Sequence, residues 1–139
     1  MIRGFTWKDI ERIMDIEAES FPKSAFGQFD FYYIWKELPN AFLVYEDAEI
    51  LGYILFDEYN GHIISLAVAT AHRRRGIGGA LVRKVLETCK QALVEVRESN
   101  YAAQAFYRSL GFVKRGIIPG YYGDEDALVM AVVLPAEEI

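Results

Sequence analysis

The sequence predicts one α/β domain of the α+β kind: a mixed, mostly antiparallel central sheet of about six to seven strands, flanked by about four helices. Three observations predict it. Strand-like runs at 41–45, 50–57 and 62–69 follow one another with only short polar or turn-forming links, the pattern of antiparallel hairpins. Segments with apolar residues at helical spacing stand before, between and after the strands. The 139 residues are 53% hydrophobic and 25% charged, enough to bury one core without staples.

Taken in order, Ile2 to Phe5 reads as a short strand. Thr6, with Asp9 three residues on, has the form of a helix N-cap and its acidic reciprocal partner. Ile10, Ile13, Met14 and Glu17 then recur at helical spacing to about Ser20, and Phe21-Pro22 ends the helix. A second helix spans Phe29 to Leu38 and stops at Pro39-Asn40. Ala41–Tyr45 and Ile50–Asp57 read as a hairpin joined by 46–49, and Asn60-Gly61 is a turn signal leading to a strand from His62 to Ala69. The first four strands should form a meander. Gly76 to about Lys90 is a helix with Leu81, Val82, Val85, Leu86 and Cys89 on one face and Arg83, Lys84, Glu87 and Lys90 on the other. Leu93–Val96 is a short strand. Ser99 can cap a helix ended by Gly111. Phe112–Ile118 and Ala127–Leu134 close the sheet around an aromatic loop at 119–126.

Composition excludes several classes. No apolar run approaches the roughly 20 residues of a membrane-spanning helix, and the N-terminus lacks the apolar stretch of a signal peptide, so the chain reads as cytoplasmic. Cys89 is the only cysteine, and His62 and His72 have no metal spacing, so neither disulfide nor metal is expected. Cys89 lies about 18–20 Å along its helix from Gly76 and on the apolar face, which reads as core. The net charge of −5 argues against nucleic acid. Against that background Arg73, Arg74 and Arg75 form a local basic cluster.

The cluster opens Arg73-Arg74-Arg75-Gly76-Ile77-Gly78-Gly79, between a strand and a helix. A helix start has unpaired N–H groups and partial positive charge, and glycines let the main chain approach an anion. The plain alternative is a solvated basic run on a Gly-rich turn. Neither the P-loop pattern nor Gly-x-Gly-x-x-Gly is met.

Arg73-x-x-Gly76-x-Gly78 resembles the Gln/Arg-x-x-Gly-x-Gly/Ala signature of the GNAT acetyltransferase superfamily, and Ser65-Leu66-Ala67-Val68 looks like that family's fourth strand. Leu93-Val94-Glu95-Val96-Arg97-Glu98-Ser99-Asn100, followed by Ala105-Phe106-Tyr107-x-x-Leu110-Gly111-Phe112, resembles the N-terminal protein acetyltransferases within it: the ribosomal-protein alanine enzyme and the archaeal and eukaryotic catalytic subunits. Gly61–Val68 and Tyr121-Tyr122…Glu125-Asp126-Ala127 match that branch too, so the resemblance covers nearly the whole chain as one domain, 1–139. The helix after the basic turn, with its link to Leu93, and the 121–126 loop are shorter than is common there.

The resemblance implies the GNAT fold and acetyl-CoA as donor. Leu66, Ala67 and Val68 would lie along its arm, residues 73–79 would hold its pyrophosphate, and Asn100 and Tyr107 would contact coenzyme A. Glu95 falls at the family's general base and Tyr107 at its general acid. Phe21, Pro22, Tyr121 and Tyr122 match positions that touch the acceptor, and His62 lines the same pocket. Partners implied are a protein or peptide N-terminus, with the ribosome or a ribosomal protein as a setting; the oligomeric state stays open. The chemistry is consistent with these roles. An α-amine has a pKa near 8, against about 10.4 for lysine, so a carboxylate working through water could suffice as base. A phenol can protonate the departing thiolate, and a main-chain N–H near Val68 can steady the tetrahedral oxygen.

The residues leave alternatives. Glu95 could simply point out of its strand, Tyr107 could be a core aromatic, Asn100 a helix cap, Tyr121 and Tyr122 loop packing, and Glu125 and Asp126 solvated charge. His62 could assist proton transfer or merely line the pocket. The acceptor could be a small amine or a lysine side chain. The chain could also be a non-catalytic acyl-CoA-binding module.

Overall fold

The computed structural model describes residues 1–23 and 25–135. Its elements run β1 (Ile2–Gly4), α1 (Ile10–Ser20), α2 (Gln28–Glu37), β2 (Phe42–Asp47), β3 (Glu49–Asp57), β4 (His62–Val68), α3 (Ile77–Cys89), β5 (Gln91–Arg97), α4 (Tyr101–Ser109), β6 (Val113–Ile118) and β7 (Ala127–Val133), with single 3₁₀ turns before α1 and α3. One seven-stranded sheet has the order β1-β2-β3-β4-β5-β7-β6. All neighbours are antiparallel except β4 and β5. The expected meander is therefore present, and the sheet is mixed.

Two apolar layers sandwich the sheet. Ile13 and Ile16 of α1 and Phe31 of α2 pack on Phe42, Tyr53 and Leu55 on one face. Leu81, Val82 and Val85 of α3 pack on Ile54, Val94 and Val96 on the other. Cys89 packs at the edge of this second layer, and its thiol donates to Glu58 O. At the entry to α1, Asp9 accepts the Thr6 N–H at 2.9 Å, as the capping pattern predicts.

Two local expectations need correction. The β2–β3 link is a single residue, Ala48, at φ 66°, rather than four, because pairing continues through Glu46, Asp47 and Glu49 after a register shift at Tyr45/Glu46. Charged residues hid a ladder made by main-chain groups. The cap of α4 is Asn100, whose Oδ1 accepts the Ala103 N–H at 3.0 Å, while the Ser99 hydroxyl donates instead to Glu125.

Two features of β4 build the site. Leu55 pairs with Ser65 and Phe56 with Ile63, so Ile64 is an extra residue, a bulge. The bulge reverses the alternation. Ile63 belongs to the α3 layer, while Ala67 belongs to the α1–α2 layer, so His62 shares the α1–α2 face. Second, β4 meets β5 through one pair, His62 and Leu93. The Leu93 N–H donates to Gly61 O at 3.1 Å, and beyond that point the strands part.

Candidate active site

One side of this fork is made of main-chain groups. The Ala69 N–H donates to Leu51 O at 2.8 Å. Strand alternation then points the main-chain groups of Leu66 and Val68 toward the gap, away from β3. Ala67, in contrast, pairs its main chain with Tyr53 and buries its side chain under α1, so it does not face the gap. The Thr70–Ala80 turn follows. Arg74 and Gly76 sit at φ 65° and 79°, a left-handed conformation that glycine adopts without strain and arginine does not. The Ala80 N–H closes onto Gly76 O at 3.0 Å, so the N–H groups of Ile77, Gly78 and Gly79 open the helix without helical partners. Gly78 also allows close packing: a Cβ there would come within 3.1 Å of the Phe106 ring.

The arginines differ from one another. Arg73 Nε donates to Val68 O at 3.1 Å and its guanidinium to Ser20 Oγ at 3.2 Å, so its side chain ties the turn to β4 and α1. Arg75 bonds His72 Nδ1 at 2.7 Å, and both Arg74 and Arg75 are exposed.

The other side of the fork is made of side chains. Val94 and Val96 enter the α3 layer, which leaves Glu95 on the opposite face with His62. His62 Nε2 lies 2.6 and 3.0 Å from the two Glu95 oxygens. The Tyr121 hydroxyl donates to Glu95 Oε1 at 3.4 Å, and the Tyr122 hydroxyl donates to Glu95 O at 3.2 Å. Burial pushes the Glu95 pKa up, but the bond and charge of His62 outweigh it and hold the carboxyl below its usual range. The hydrogen bond to Glu95 raises His62 above its ordinary value despite partial burial, and the charges of Glu95 and Asp57 act in the same direction.

A clamp that sequence reasoning missed supports this face. Arg97 lies two residues beyond Glu95, on the same side of β5. It bonds Asp124 at 2.9 Å and Glu125 at 3.0 Å, and its guanidinium sits 4.3 Å from the Tyr122 ring centre. Glu125 also accepts from the Ser99 N–H and hydroxyl, and Asp126 accepts the Gly120 N–H at 2.8 Å. Glu125 and Asp126 are thus pins of the 119–126 loop rather than solvated charge. The signal available in the sequence was the i, i+2 spacing of Glu95 and Arg97.

The remaining residues are distributed around the fork. Tyr107 is buried at 6% exposure, with its ring 5.0 Å from Phe106 and 5.1 Å from Phe112. Burial, reinforced by the neighbouring Tyr122, raises its pKa strongly, so the phenol stays protonated. Asn100 uses its carbonyl oxygen for the cap, which leaves its NH₂ as the half that could meet a ligand. Phe21 packs at the edge of the α1–α2 layer, and Pro22 is exposed beside it. Lys23 lies 3.7 Å from Asp124, linking the α1–α2 connection to the 119–126 loop.

One side of the fork thus presents main-chain donors without helical partners, and the other a carboxylate held below its usual pKa range. The chain belongs to the acetyltransferase (GNAT) family, whose sequence profile matches residues 10–112, and it is an acetyltransferase. It is 35% identical over 146 residues to a Bacillus subtilis protein named for alanine N-acetylation of ribosomal protein bS18, covering 96% of this chain and 95% of that one. It is 33% identical over 155 residues to an N-alpha-acetyltransferase of Sulfurisphaera tokodaii, covering 96% and 92%. The crystal structure of Ard1 from Thermoplasma volcanium has the same fold, with a TM-score of 0.88 at 31% identity over 97% of each chain.

Proposed function

We propose that the chain transfers acetyl from acetyl-CoA directly to the N-terminal α-amine of a protein or peptide, with Glu95, coupled to His62, as the base and Tyr107 as the proton donor to the departing sulfur. The observation that carries this reading is the Glu95 carboxylate, bonded to both His62 and Tyr121 beside the β4–β5 fork. The relatives' printed activities point to the same acceptor. The setting would be the cytoplasm, with nascent or ribosomal proteins among the acceptors.

In this reading the donor's diphosphate rests on the N–H groups opening α3, and its arm follows Leu66 and Val68 where β5 no longer pairs with β4. Asn100 contacts the arm through its NH₂. The amine nitrogen attacks the thioester carbon, and the oxyanion is steadied by the Val68 N–H. The C–S bond then breaks and the sulfur takes a proton or a strong hydrogen bond from Tyr107. Burial keeps Tyr107 protonated at rest, so its proton is in place for the thiolate as the C–S bond breaks, and the phenol recovers a proton from solvent once coenzyme A leaves. Phe21, Pro22, Tyr121 and Tyr122 would bound the acceptor's first residue.

The base needs its partner. A lone carboxylate with a lowered pKa is a poor acceptor for a proton leaving an ammonium of pKa near 8. Once His62 has lost its proton, the pair can take one back with the raised affinity of the histidine. The base strength is thereby moved toward that of the amine. The test is a panel of short peptides differing in their first two residues, with N-terminally blocked lysine peptides as contrast, followed by thiol release. Free coenzyme A should appear with open α-amines only. Release with blocked lysine peptides at equal or greater rate would overturn the proposed acceptor.

A further inference from the structure

The mechanism leaves unused a second carboxylate, Glu17 of α1, which is only 2% exposed. One of its oxygens accepts from the Tyr53 hydroxyl and from Ser65 Oγ at 3.0 Å, and those two hydroxyls lie 3.0 Å from each other. Its other oxygen accepts the Phe26 N–H at 3.0 Å. Its main-chain carbonyl accepts the Phe21 N–H at 2.8 Å. The Phe21 bond is the main-chain closure of α1, whereas the Phe26 bond belongs to the carboxylate, which thereby ties the α2 end of the connection to β3 and β4.

At Lys23 the connection meets the 119–126 loop, whose Tyr121 hydroxyl bonds Glu95. Lys23 approaches Asp124, which Arg97 holds two residues from Glu95 on β5. Ser65, the β4 end of the network, directly precedes Leu66, whose main chain faces the gap. A buried charge held at this desolvation cost adds little to stability over an apolar side chain of similar size. Burial indeed pushes the Glu17 pKa up, against the Phe26 and Ser65 bonds. What the carboxylate supplies that an apolar side chain would not is a fixed point for the main chain at Phe26.

We infer that Glu17 is a positioning residue for the acceptor: its carboxylate fixes the connection at Phe26 against β3 and β4, so that Phe21, Pro22 and Lys23 are held as one wall of the approach to Glu95. The inference rests on the acceptor reading given above. It makes this wall a specificity element held from inside the core.

The test uses the full chain with Glu17→Met, which keeps the volume and removes the acceptors, and Glu17→Gln, which keeps both kinds of bond. Gln Oε1 can accept from Phe26 while its NH₂ donates to the Tyr53 and Ser65 hydroxyls. Amide exchange across residues 21–27 is read without substrate, and KM is measured for acceptor and acetyl-CoA. Glu17→Met should speed exchange across that segment and raise the acceptor KM about tenfold. The acetyl-CoA KM should stay within about twofold, and Glu17→Gln should restore both readouts. Unchanged exchange, an unchanged acceptor KM, or an equal rise in both KM values would overturn the role. If the wild-type enzyme acetylates small amines and no peptide, the proposed peptide acceptor falls. Glu17 is then judged by the same KM split on that amine.

Discussion

The two sides of the β4–β5 fork are built by different means. On the α3 side the groups are main-chain N–H and C=O, presented by a turn whose left-handed positions are Arg74 and Gly76. In the proposed reading many equivalent donors share one diphosphate there, so no single side chain should dominate. On the β5 side the groups are side chains: one carboxylate, one imidazole and two phenols, whose state depends on protonation. Substitutions on the first side should change donor affinity in small steps. On the second they should change the chemistry sharply and change its pH dependence.

The sharpest break should come at Glu95. Glu95→Gln is expected to lower turnover by about 10²- to 10³-fold. The effect should be largest at low pH, where the amine cannot shed its own proton, and the acetyl-CoA KM should barely move. A pH–rate profile of the variant checks this, and an unchanged profile removes Glu95 as the base. Tyr107→Phe comes next, with about a 10²-fold slower acetyl transfer in single turnover. Full activity there would assign Tyr107 to packing against Phe106 and Phe112 alone.

His62 sharpens the comparison through pH. Its pKa is raised by Glu95, so in the wild type the pair gains its full basicity only as pH rises through a value above the ordinary 6.5 of histidine. The groups facing it are Glu95 on β5, Asp57 on β3 and, through Glu95, Tyr121 of the 119–126 loop. His62→Gln should cost about tenfold in kcat and move the acidic limb of the profile to lower pH, where Glu95 alone titrates. A limb that stays in place would show that the histidine only lines the groove. The sign also fixes a stability effect. The bond's contribution is fully present below the unfolded histidine pKa and is lost as pH rises through the raised folded value.

How much of this could be read in the chain follows the same division. Glycine and apolar period mark main-chain structure directly, so the meander, α3 and the turn at 73–79 were legible. Side-chain meetings across the sheet were not. His62, Ile64, Leu66 and Val68 look like one uninterrupted strand face, and nothing in their residue types announces the extra residue at Ile64 that moves His62 to the face of Glu95. Glu17 stood in the apolar stripe of α1, while its hydroxyl partners lie 36 and 48 residues away. The Arg97 clamp needs Asp124 and Glu125 brought back by a loop 27 and 28 residues on. Ser99 and Asn100 are both good caps, and Glu125 decided between them by taking the serine.

On the α3 side the expected effects are smaller and their order is itself the test. Gly76→Ala adds a Cβ that meets nothing within 4 Å, so only the strain at φ 79° opposes it. That cost, about 1 kcal/mol, should raise the acetyl-CoA KM about fivefold without changing the pH profile. Arg75→Ala should do less, about two- to threefold, because an exposed charge beside a diphosphate is screened by salt. Measured at low and high ionic strength, the Arg75 effect should fade with salt while the Gly76 effect persists, since strain in the turn does not depend on ions. If Arg75 cost more than Gly76 at every salt concentration, the anion would be held by side chains, and the contrast between the two sides of the fork would fail.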